Sequence, residues 1–442
     1  MNHICIKKGH DIKINGVPND EISTHYQPKS VAIMPRSFRS VKPKLMVKEG
    51  DNVQIGSPLF FDKTKPEVKW ASPASGTISA IQFGARRVIE KIVIAVEDQN
   101  FLSGKIFSIE ELESSTREII LNRLLDANLF SLIRQRPFNK VANPKDEPRD
   151  IFISAVNTAP LAVNLEKVIN SEIEAFQAGI TALSKLTNGD VYVTGQNKID
   201  LKDAIVQTIS GPHPAGNVGI QIHHTKPLKP HDLIWTVNAQ HVIILGKLFL
   251  TGSYQPNMII SIGGPAAKKH HTLSVTVGTS IESIIADQNL SEPVRIISGD
   301  VLTGTECKES DFLGYYDSSI SILSDLVDRP FLGMLAIGSN KTKYSLTRAF
   351  VNFGNQLFNF NTSQNGEERA IVPINAWENV LPMDVYPNAL YRSILAQDIE
   401  EMENLGIWEC DDEDFALCSF ACPSKIDIGS VIRNGLDLLE ND

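Results

Sequence analysis

The 442-residue sequence is short of cysteine and has no long apolar run. Its five cysteines are odd in number and irregularly spaced, which makes a poor disulfide framework and indicates a reducing, cytoplasmic environment. The longest apolar runs, such as residues 242–245, stay far below the roughly 20 residues needed to cross a bilayer. The N-terminus also lacks a charged start followed by an apolar stretch, so we expect no secretory signal. Any membrane contact must therefore come through a protein partner or a local patch.

Excess basic charge and nucleotide-binding glycines are also missing. The net charge is −10 and no stripe of Lys or Arg offsets it, which argues against a nucleic-acid partner. The turn after the first buried strand of the central region, Asn157-Thr158-Ala159-Pro160, lacks the G-x-G-x-x-G glycines that let a backbone approach a pyrophosphate. No G-x4-G-K-S/T sequence is present either. We therefore expect the architecture of a nucleotide binder without its chemistry.

The histidines do not follow a known metal-binding spacing. Those in the middle of the chain are His213, His223, His224, His231 and His241. No H-E-x-x-H or C-x2-C spacing accompanies them. We interpret His223 and His224 as neighbours on an extended segment, where side chains point to opposite faces and cannot easily share one ion. The sequence predicts no metal site.

The first hundred residues predict an all-β domain. Residues 44–60 read as three strands separated by two turns, with Gly50 and Gly56 where positive φ is needed. Further strands are expected near 71–78 and 88–94, and this order resembles the biotinyl/lipoyl barrel-sandwich fold. Swinging-arm domains carry lipoyl on a hairpin lysine that corresponds to Lys63. Because the surrounding sequence looks longer and more irregular than a tight modified hairpin, we predict an unmodified lysine.

The rest of the chain predicts an α/β region, a β-rich unit and a helical tail. A buried strand at 150–156, helical periodicity over 164–186 and a second strand at 190–194 indicate a βαβ unit with parallel strands. Strands at 258–262, 273–277 and 294–300, with a short helix at 280–286, outline a β-grasp-type module. From residue 375 the pattern becomes helical, with Pro387 in a first turn and Gly406 as a C-cap.

Together these patterns predict a multi-domain α/β and β protein. The predicted parts are a biotinyl/lipoyl-like barrel-sandwich domain at 1–100, a Rossmann-like α/β domain at 101–257, a β-grasp-like (SLBB-type) module at 258–330, a connecting β/irregular segment at 331–375, and a C-terminal helical domain with a degenerate ferredoxin motif at 376–442.

The degenerate motif is the second half of an iron–sulfur cluster sequence. Cys418, Cys422 and Pro423 fit the end of C-x2-C-x2-C-x3-C-P, but the positions of the first two thiolates hold Asp412 and Phe415. A phenyl ring cannot ligate iron, so we expect a cluster-binding fold that has lost its cluster, with Phe415 buried in the vacated space. The alternative is that Cys418 and Cys422 are two cysteines near a helix start that never belonged to a cluster-binding motif.

Motifs spread over the whole chain resemble one family, the A subunit of the Na⁺-translocating NADH:quinone reductase (the Nqr complex). They run from Ile6 to Ile12, Asn15 to Pro18, Ser72 to Gly76, Ile133 to Phe138, Pro212 to Gly216, Ile297 to Gly304, Gly366 to Arg369, and Leu417 to Pro423. The C subunit of Rnf-type complexes and the NADH-binding subunit of respiratory complex I are similar in domain order but keep the cluster cysteines.

The resemblance implies a peripheral subunit on the cytoplasmic face of the bacterial inner membrane. The implied partners are the other subunits of a six-subunit complex, especially the membrane-embedded ones, together with ubiquinone. That complex passes electrons from NADH through flavins and iron centres to ubiquinone and exports Na⁺. Because this chain carries no flavin, NADH or metal motif of its own, we expect it to bind none of these cofactors. It would serve in docking, in forming a quinone site, or in both.

The candidate quinone-contacting stretch is residues 130–138. It offers apolar walls and cationic donors in Phe130, Leu132, Ile133, Arg134, Arg136 and Phe138. The alternative is that both arginines form ordinary ion pairs near a domain junction. Two other functions also stay open: a stand-alone oxidoreductase with a lipoyl or nucleotide cofactor, and a scaffold protein unrelated to respiration.

Overall fold

The computed structural model describes residues 3–26, 28–290, 292–326, 344–346, 356–372 and 374–441. Over these ranges the chain forms four β-sheets and a C-terminal group of helices. About half of the predicted connecting segment, 331–375, lies outside the described residues. No helix within the described ranges is long and apolar enough to span a bilayer.

The two N-terminal strands belong to sheets formed by distant parts of the chain. Strand β1 (His3–Cys5) pairs in parallel with residues 208–210, and β2 (Ile22–Tyr26) pairs in parallel with residues 272–275. Two strands inside the predicted domain at 1–100 therefore complete sheets of other domains. A short strand carries too little pattern to reveal which sheet it joins, because cross-strand context decides the pairing.

The barrel-sandwich domain begins at Ser30. One sheet has the order β3-β9-β8-β5 and the other the order β4-β6-β7. Its strands are β3 (Ser30–Ile33), β4 (Pro43–Leu45), β5 (Asn52–Val53), β6 (Pro58–Asp62), β7 (Lys65–Ala71), β8 (Gly76–Phe83) and β9 (Ile89–Val96). Phe60 and Trp70 are fully buried between the sheets and stack with their ring centroids 4.6 Å apart. This aromatic pair fixes the centre of the domain.

The hairpin at Lys63 is tighter than the sequence predicted. Asp62 pairs with Lys65, so only Lys63 and Thr64 form the turn. The buried carboxylate of Asp62 accepts bonds from the Thr64 backbone N–H at 3.0 Å and from the Thr64 hydroxyl at 2.8 Å. The expectation of a long, irregular loop was wrong because this side-chain cap closes the turn. Lys63 itself is exposed.

The α/β domain is built on a seven-stranded sheet of order β1-β14-β13-β12-β15-β10-β11. Its strands are β10 (Arg134–Arg136), β11 (Lys140–Val141), β12 (Ile151–Ser154), β13 (Val191–Gly195), β14 (Ile205–Ser210) and β15 (Ile234–Asn238). Its helices are α1 (Ile109–Glu113), α2 (Arg117–Asp126), α3 (Leu165–Ser171), α4 (Ile173–Ser184), α5 (Val218–Thr225) and α6 (Ala239–Thr251). Strands β12 and β13 pair in parallel across α3 and α4, which confirms the predicted βαβ unit.

Two glycines let helices α4 and α6 pack closely. A methyl group added to Gly179 would lie 2.2 Å from the Val242 carbonyl oxygen, and one added to Gly246 would lie 1.7 Å from that of Ala175. Any larger side chain at either position would push the helices apart. This contact holds one face of the sheet and leaves the carboxyl ends of its strands facing the other domains.

The third domain is a six-stranded sheet with one short helix. Its order is β19-β18-β20-β16-β17-β2, and its elements are β16 (Asn257–Gly263), β17 (His271–Thr276), α7 (Ile281–Ile285), β18 (Val294–Ser298), β19 (Thr305–Cys307) and β20 (Ser319–Ser324). The predicted sequence of strand, strand, helix and strand is confirmed. The sheet packs a core of isoleucines, among them Ile262 and Ile320, against α7.

The C-terminal domain is helical, as predicted. Its helices are α8 (Pro387–Ala396), α9 (Ile399–Asn404), α10 (Asp412–Ala421) and α11 (Ile428–Asn441). Pro387 opens α8, and Gly406 follows α9 with φ of 84°. Phe415 is fully buried in the core of this domain together with Cys418 and Cys422, which confirms its predicted burial.

Candidate functional site

A crevice of about 740 Å³ opens at the carboxyl ends of the parallel strands. Strand β12 has β13 on one side and β15 on the other, so the strand order reverses at β12. Ligands of open α/β sheets bind at such a reversal. The crevice is lined by residues from all four domains, among them Arg39, Arg134, Ser154, Asn157, His213, Asn217, Asn238, Asp300, Tyr316, Asp317, Asp412 and Glu413.

The helix N-termini that face this crevice already have partners within the chain. A methyl group on Gly219, in the first turn of α5, would lie 2.1 Å from Asp414 Oδ2, so this carboxylate lies against the helix start. At the start of α6, the Asn238 side chain accepts a bond from the Gln240 N–H at 2.9 Å. A helix N-terminus attracts an anion through its free N–H groups and its dipole. Here the acidic side chain of Asp414 lies beside the start of α5.

Four consecutive acidic residues at the start of α10 meet three arginines from different parts of the chain. We call this group the clasp: Asp411, Asp412, Glu413 and Asp414 with Arg39, Arg136 and Arg433. Arg136 is buried and lies 3.2 Å from Asp411, 2.5 Å from Glu413 and 3.2 Å from Asp414.

The other two arginines of the clasp bind Asp411 and Asp412. Arg39 contacts Asp411 at 3.2 Å and Asp412 at 2.7 Å. Arg433 contacts Asp412 at 2.7 Å and also pairs with Asp411. Arg39 belongs to the barrel-sandwich domain, Arg136 to the α/β domain and Arg433 to α11, so the clasp joins three domains.

Burial shifts the pKa values of the clasp carboxylates in different directions. It raises the pKa of Asp414 to about 8 despite the opposing effect of Arg136, and raises that of Asp412 to about 6 together with the neighbouring Asp411. Burial also disfavours ionised Asp411, but Arg136 and its other partners outweigh this and hold the pKa of Asp411 well below its usual range. Since four carboxylates face three guanidinium groups, we expect the clasp to retain a proton near neutral pH.

The structure separates the six residues of the predicted quinone stretch. Phe130, Leu132 and Ile133 are buried in the core, where Phe130 contacts Trp235 edge-on at 5.6 Å between centroids. They do not line the crevice. Buried Arg136 is engaged by three carboxylates, which is the alternative that the sequence left open. Phe138 contacts Trp408 at 5.8 Å and lines a different groove.

Arg134 is the member of this stretch that lines the crevice. Its guanidinium group lies 4.9 Å from the ring centroid of Tyr316, a cation–π distance. No carboxylate within the described ranges forms an ion pair with it. The neighbouring His241 is buried, and burial together with the charge of Arg134 lowers the pKa of His241 to about 3, so the imidazole is neutral. Arg134 is thus a half-buried cation with an open side towards the crevice.

Three protein-family models match the chain in order. They are described as the NqrA N-terminal barrel-sandwich hybrid domain, over residues 4–97, the NqrA second alpha/beta domain, over 115–254, and the NQRA C-terminal domain, over 259–309. The A subunit of the Na⁺-translocating NADH-quinone reductase of Vibrio atlanticus is 37% identical over 99% of this chain and 100% of its own length. The corresponding subunits of Saccharophagus degradans and Haemophilus influenzae are 36% and 37% identical over the same shares.

The chain belongs to the NqrA family. The family descriptions agree with the barrel-sandwich fold and the α/β fold predicted for the first two domains. Two chains from structures of an NAD⁺-reducing [NiFe]-hydrogenase are weakly similar, at 9% identity each. Their TM-scores are 0.34 and 0.39, and the alignments cover 47% and 75% of this chain and 47% and 62% of the hydrogenase chains.

In this NqrA family member, the residues at the two missing thiolate positions of the cluster motif have different surroundings. Asp412, at the first missing thiolate position, pairs with two arginines of the clasp, whereas Phe415, at the second, fills the helical core. Cys418 lies in α10, and burial raises the pKa of its thiol. No group of three or more His, Cys, Asp or Glu side chains is arranged around a metal-sized site in the part of the chain that the structure describes.

The structure corrects the interpretation of the paired histidines. His223 and His224 lie on helix α5 and not on an extended segment, and their ring centroids are 5.1 Å apart. His223 pairs with Glu409 at 2.7 Å, and His224 contacts the Pro382 carbonyl oxygen at 2.8 Å. The two side chains therefore bind different groups of the helical domain.

Sequence reasoning missed the clasp in this NqrA family member. The available signal was the run of four acidic residues at 411–414, directly before an apolar helix. Such a run usually marks a solvated surface. The three arginines that bury it are 21 to 373 residues away in sequence, and no local pattern links them to it.

Proposed function

We propose that this chain is the NqrA component of a Na⁺-translocating NADH-quinone reductase. In that role it is a peripheral part of a complex that oxidises NADH, reduces quinone and transports Na⁺. The observation that carries the proposal is the match to named NADH-quinone reductase subunits along the full length of both chains. The cytoplasmic face of the inner membrane, and docking onto membrane-embedded subunits, belong to the same proposal.

The chain's own role is to hold several domains as one docking unit. The clasp supports this role because it joins the barrel-sandwich, α/β and helical domains through buried ion pairs. Buried ion pairs contribute little net stability, but they tolerate few alternative arrangements. We infer that the relative positions of the domains, and not a bound cofactor, are what this chain supplies to the complex.

We place the flavins and iron centres of the complex in its other subunits. Asp414 supports this, because an acidic side chain beside the start of α5 disfavours a flavin or dinucleotide phosphate there. We also infer that the third domain is of the β-grasp type. The helical domain, in turn, descends from a ferredoxin-like domain in which Phe415 and the clasp replaced the cluster.

A second candidate function is a contact with quinone at Arg134. A quinone presents two carbonyl acceptors on a flat ring, so its site needs a placed donor and an aromatic or aliphatic wall. Arg134 and Tyr316 offer this pair inside the crevice. Of the six residues of the predicted stretch, Arg134 would bind the quinone, and Arg136 would hold the strand in place.

The test is co-purification of a tagged chain from membranes, combined with activity in a strain that lacks the chain. We expect the partner subunits to accompany it, and the deletion to abolish Na⁺-dependent quinone reduction by NADH. A free pool without partners, and unchanged activity in the deletion strain, would favour the non-respiratory scaffold. A visible flavin band, or a mass increase at Lys63, in the purified chain would favour a stand-alone oxidoreductase.

A further inference from the structure

The barrel-sandwich domain carries a charge opposite to that of the whole chain. Residues 28–98 contain twelve Lys or Arg against seven Asp or Glu, whereas the full chain has a net charge of −10. The α/β domain is balanced, with fifteen basic and fifteen acidic residues over 101–257. The acidic excess lies in the third domain, with four basic against nine acidic residues over 258–326, and in the helical domain, with three against thirteen over 387–442. A charge asymmetry of this kind orients a protein in an external field.

Part of this charge lines a groove of about 840 Å³ between the barrel-sandwich domain and helix α11. We call it the basic groove. Its cations are Arg36, Arg39, Lys42, Lys65, Lys140 and Arg433, and its carboxylates are Asp437 and Glu440.

Two lysines of the basic groove have no carboxylate partner among the described residues. Lys42 is exposed, and Lys65 donates to the Val141 carbonyl oxygen at 3.0 Å. Burial, and then the charge of Lys140, lowers the pKa of Lys65. An anion entering the groove would relieve the repulsion between these ammonium groups.

The hairpin between β8 and β9 continues this surface. Its tip, residues 83–88, exposes Phe83 by 55% and Val88 by 40%, on either side of the exposed Arg86 and Arg87. Neither arginine forms an ion pair with any residue that the structure describes. Val88 also lines the basic groove, so the tip and the groove form one continuous surface.

We propose that the hairpin tip and the basic groove together bind an anionic phospholipid membrane. Cations beside exposed apolar side chains are the combination that peripheral proteins present to the headgroup layer. An acidic protein segment is an alternative ligand. It would explain the cations of this surface, but not why Phe83 and Val88 are exposed beside them. Because the other domains are neutral or acidic, an anionic membrane would attract this face most strongly, and the surface would set the orientation of the whole chain.

The experiment measures binding of the purified full-length chain to vesicles by co-sedimentation. One set of vesicles is phosphatidylcholine alone, and the other is an equal mixture of phosphatidylcholine and phosphatidylglycerol. We expect binding to the anionic vesicles only, weakened by high salt. Each basic residue near an anionic surface contributes about a fivefold change in partition, so the double variant Arg86→Ser/Arg87→Ser should bind about 25-fold more weakly. Phe83→Ser should also weaken binding, but without changing its salt dependence.

The matched control is the double variant Lys7→Ser/Lys8→Ser. This pair is also exposed and adjacent, and it removes the same charge outside the barrel-sandwich domain. It should bind like the unaltered chain. The proposal is overturned if the chain does not bind anionic vesicles, or if the control pair loses as much affinity as the hairpin pair. Equal binding of the Phe83→Ser variant would also overturn it, because a purely electrostatic contact with any acidic surface would then suffice. The test needs no partner protein, so its outcome is independent of assembly into the reductase complex.

Discussion

The clasp and the basic groove share Arg39 and Arg433, yet they use charge in opposite ways. In the clasp, four carboxylates and three arginines are packed together and Asp411 and Asp414 are fully enclosed. In the groove, Arg36 pairs with Glu90 and Lys140 with Glu440, whereas Lys42 and Lys65 have no carboxylate partner in the described structure. Charges that satisfy one another fix the position of domains, whereas charges left without a partner are available to an outside molecule. The two regions therefore separate arginines that hold domains together from lysines that are available to an outside molecule.

Among the tests of this contrast, Arg136→Leu should have the largest effect. It leaves Asp411, Glu413 and Asp414 without their shared cation, and breaking a buried ion pair costs about 3–5 kcal/mol. We expect a lower free energy of unfolding of the helical domain, measured by urea denaturation followed through tryptophan fluorescence. Lys42→Leu, a cation of the open groove, is the control and should change stability by less than about 0.5 kcal/mol. Equal losses in the two variants would remove the distinction between the regions.

Phe415→Ala tests whether packing replaces the missing half of the cluster motif. Because the ring is fully buried, its removal should leave a cavity and cost about 3–5 kcal/mol of unfolding free energy. Phe83→Ala is the control, since that ring is more than half exposed, and its effect should be close to zero. A small loss at Phe415 would mean that the helical core does not depend on filling this space.

Arg134→Leu sharpens the comparison, because Arg134 lies on the same short strand as Arg136 and yet has no carboxylate partner in the described structure. Loss of a charge-assisted bond of about 1.5–3 kcal/mol would lower kcat/KM for quinone roughly 10- to 100-fold. Oxidation of NADH with an artificial acceptor and complex assembly should stay normal. Arg134→Lys should recover part of the activity. If Arg134→Leu reduces quinone at the normal rate in an intact complex, the quinone site lies elsewhere.

The smallest expected effect is the pH dependence of the clasp. Asp414 has a folded-state pKa raised to about 8, above the ordinary value near 4 of the unfolded chain, so the folded state binds the extra proton. Its contribution to stability is full below about pH 4 and falls as pH rises through about 8.

We expect the free energy of unfolding to decrease by on the order of 1 kcal/mol between pH 6 and pH 9. Asp414→Asn should flatten this dependence. The same slope in that variant would assign the proton to another group.

Most of the architecture was predictable because local sequence patterns determine it. The buried strands at 151–154 and 191–195 are continuous apolar runs, and Pro387 and Gly406 delimit helices through their own backbone preferences. The degenerate motif predicted a buried Phe415 because its spacing defines a position inside a known arrangement. Such features need only neighbouring residues to be recognised.

The misinterpretations share a physical cause: each of these local structures depends on side-chain contacts or on residues far away in sequence. His223 and His224 looked extended because a short helix with two adjacent histidines has weak periodicity. The turn at Lys63 is tight because a buried Asp62 caps it. The role of Arg136 depends on carboxylates 275 to 278 residues away, so it could not be separated from that of Arg134 by composition alone.

The pairing of β1 with β14 sets an order of events during synthesis. His3 pairs with Thr208, so β1 leaves the ribosome about two hundred residues before its partner strand is made. The barrel-sandwich strands at 30–96 pair among themselves and can fold as soon as they emerge. Strand β1 is therefore among the last strands to join the α/β sheet, and it stays unpaired in the emerging chain until then.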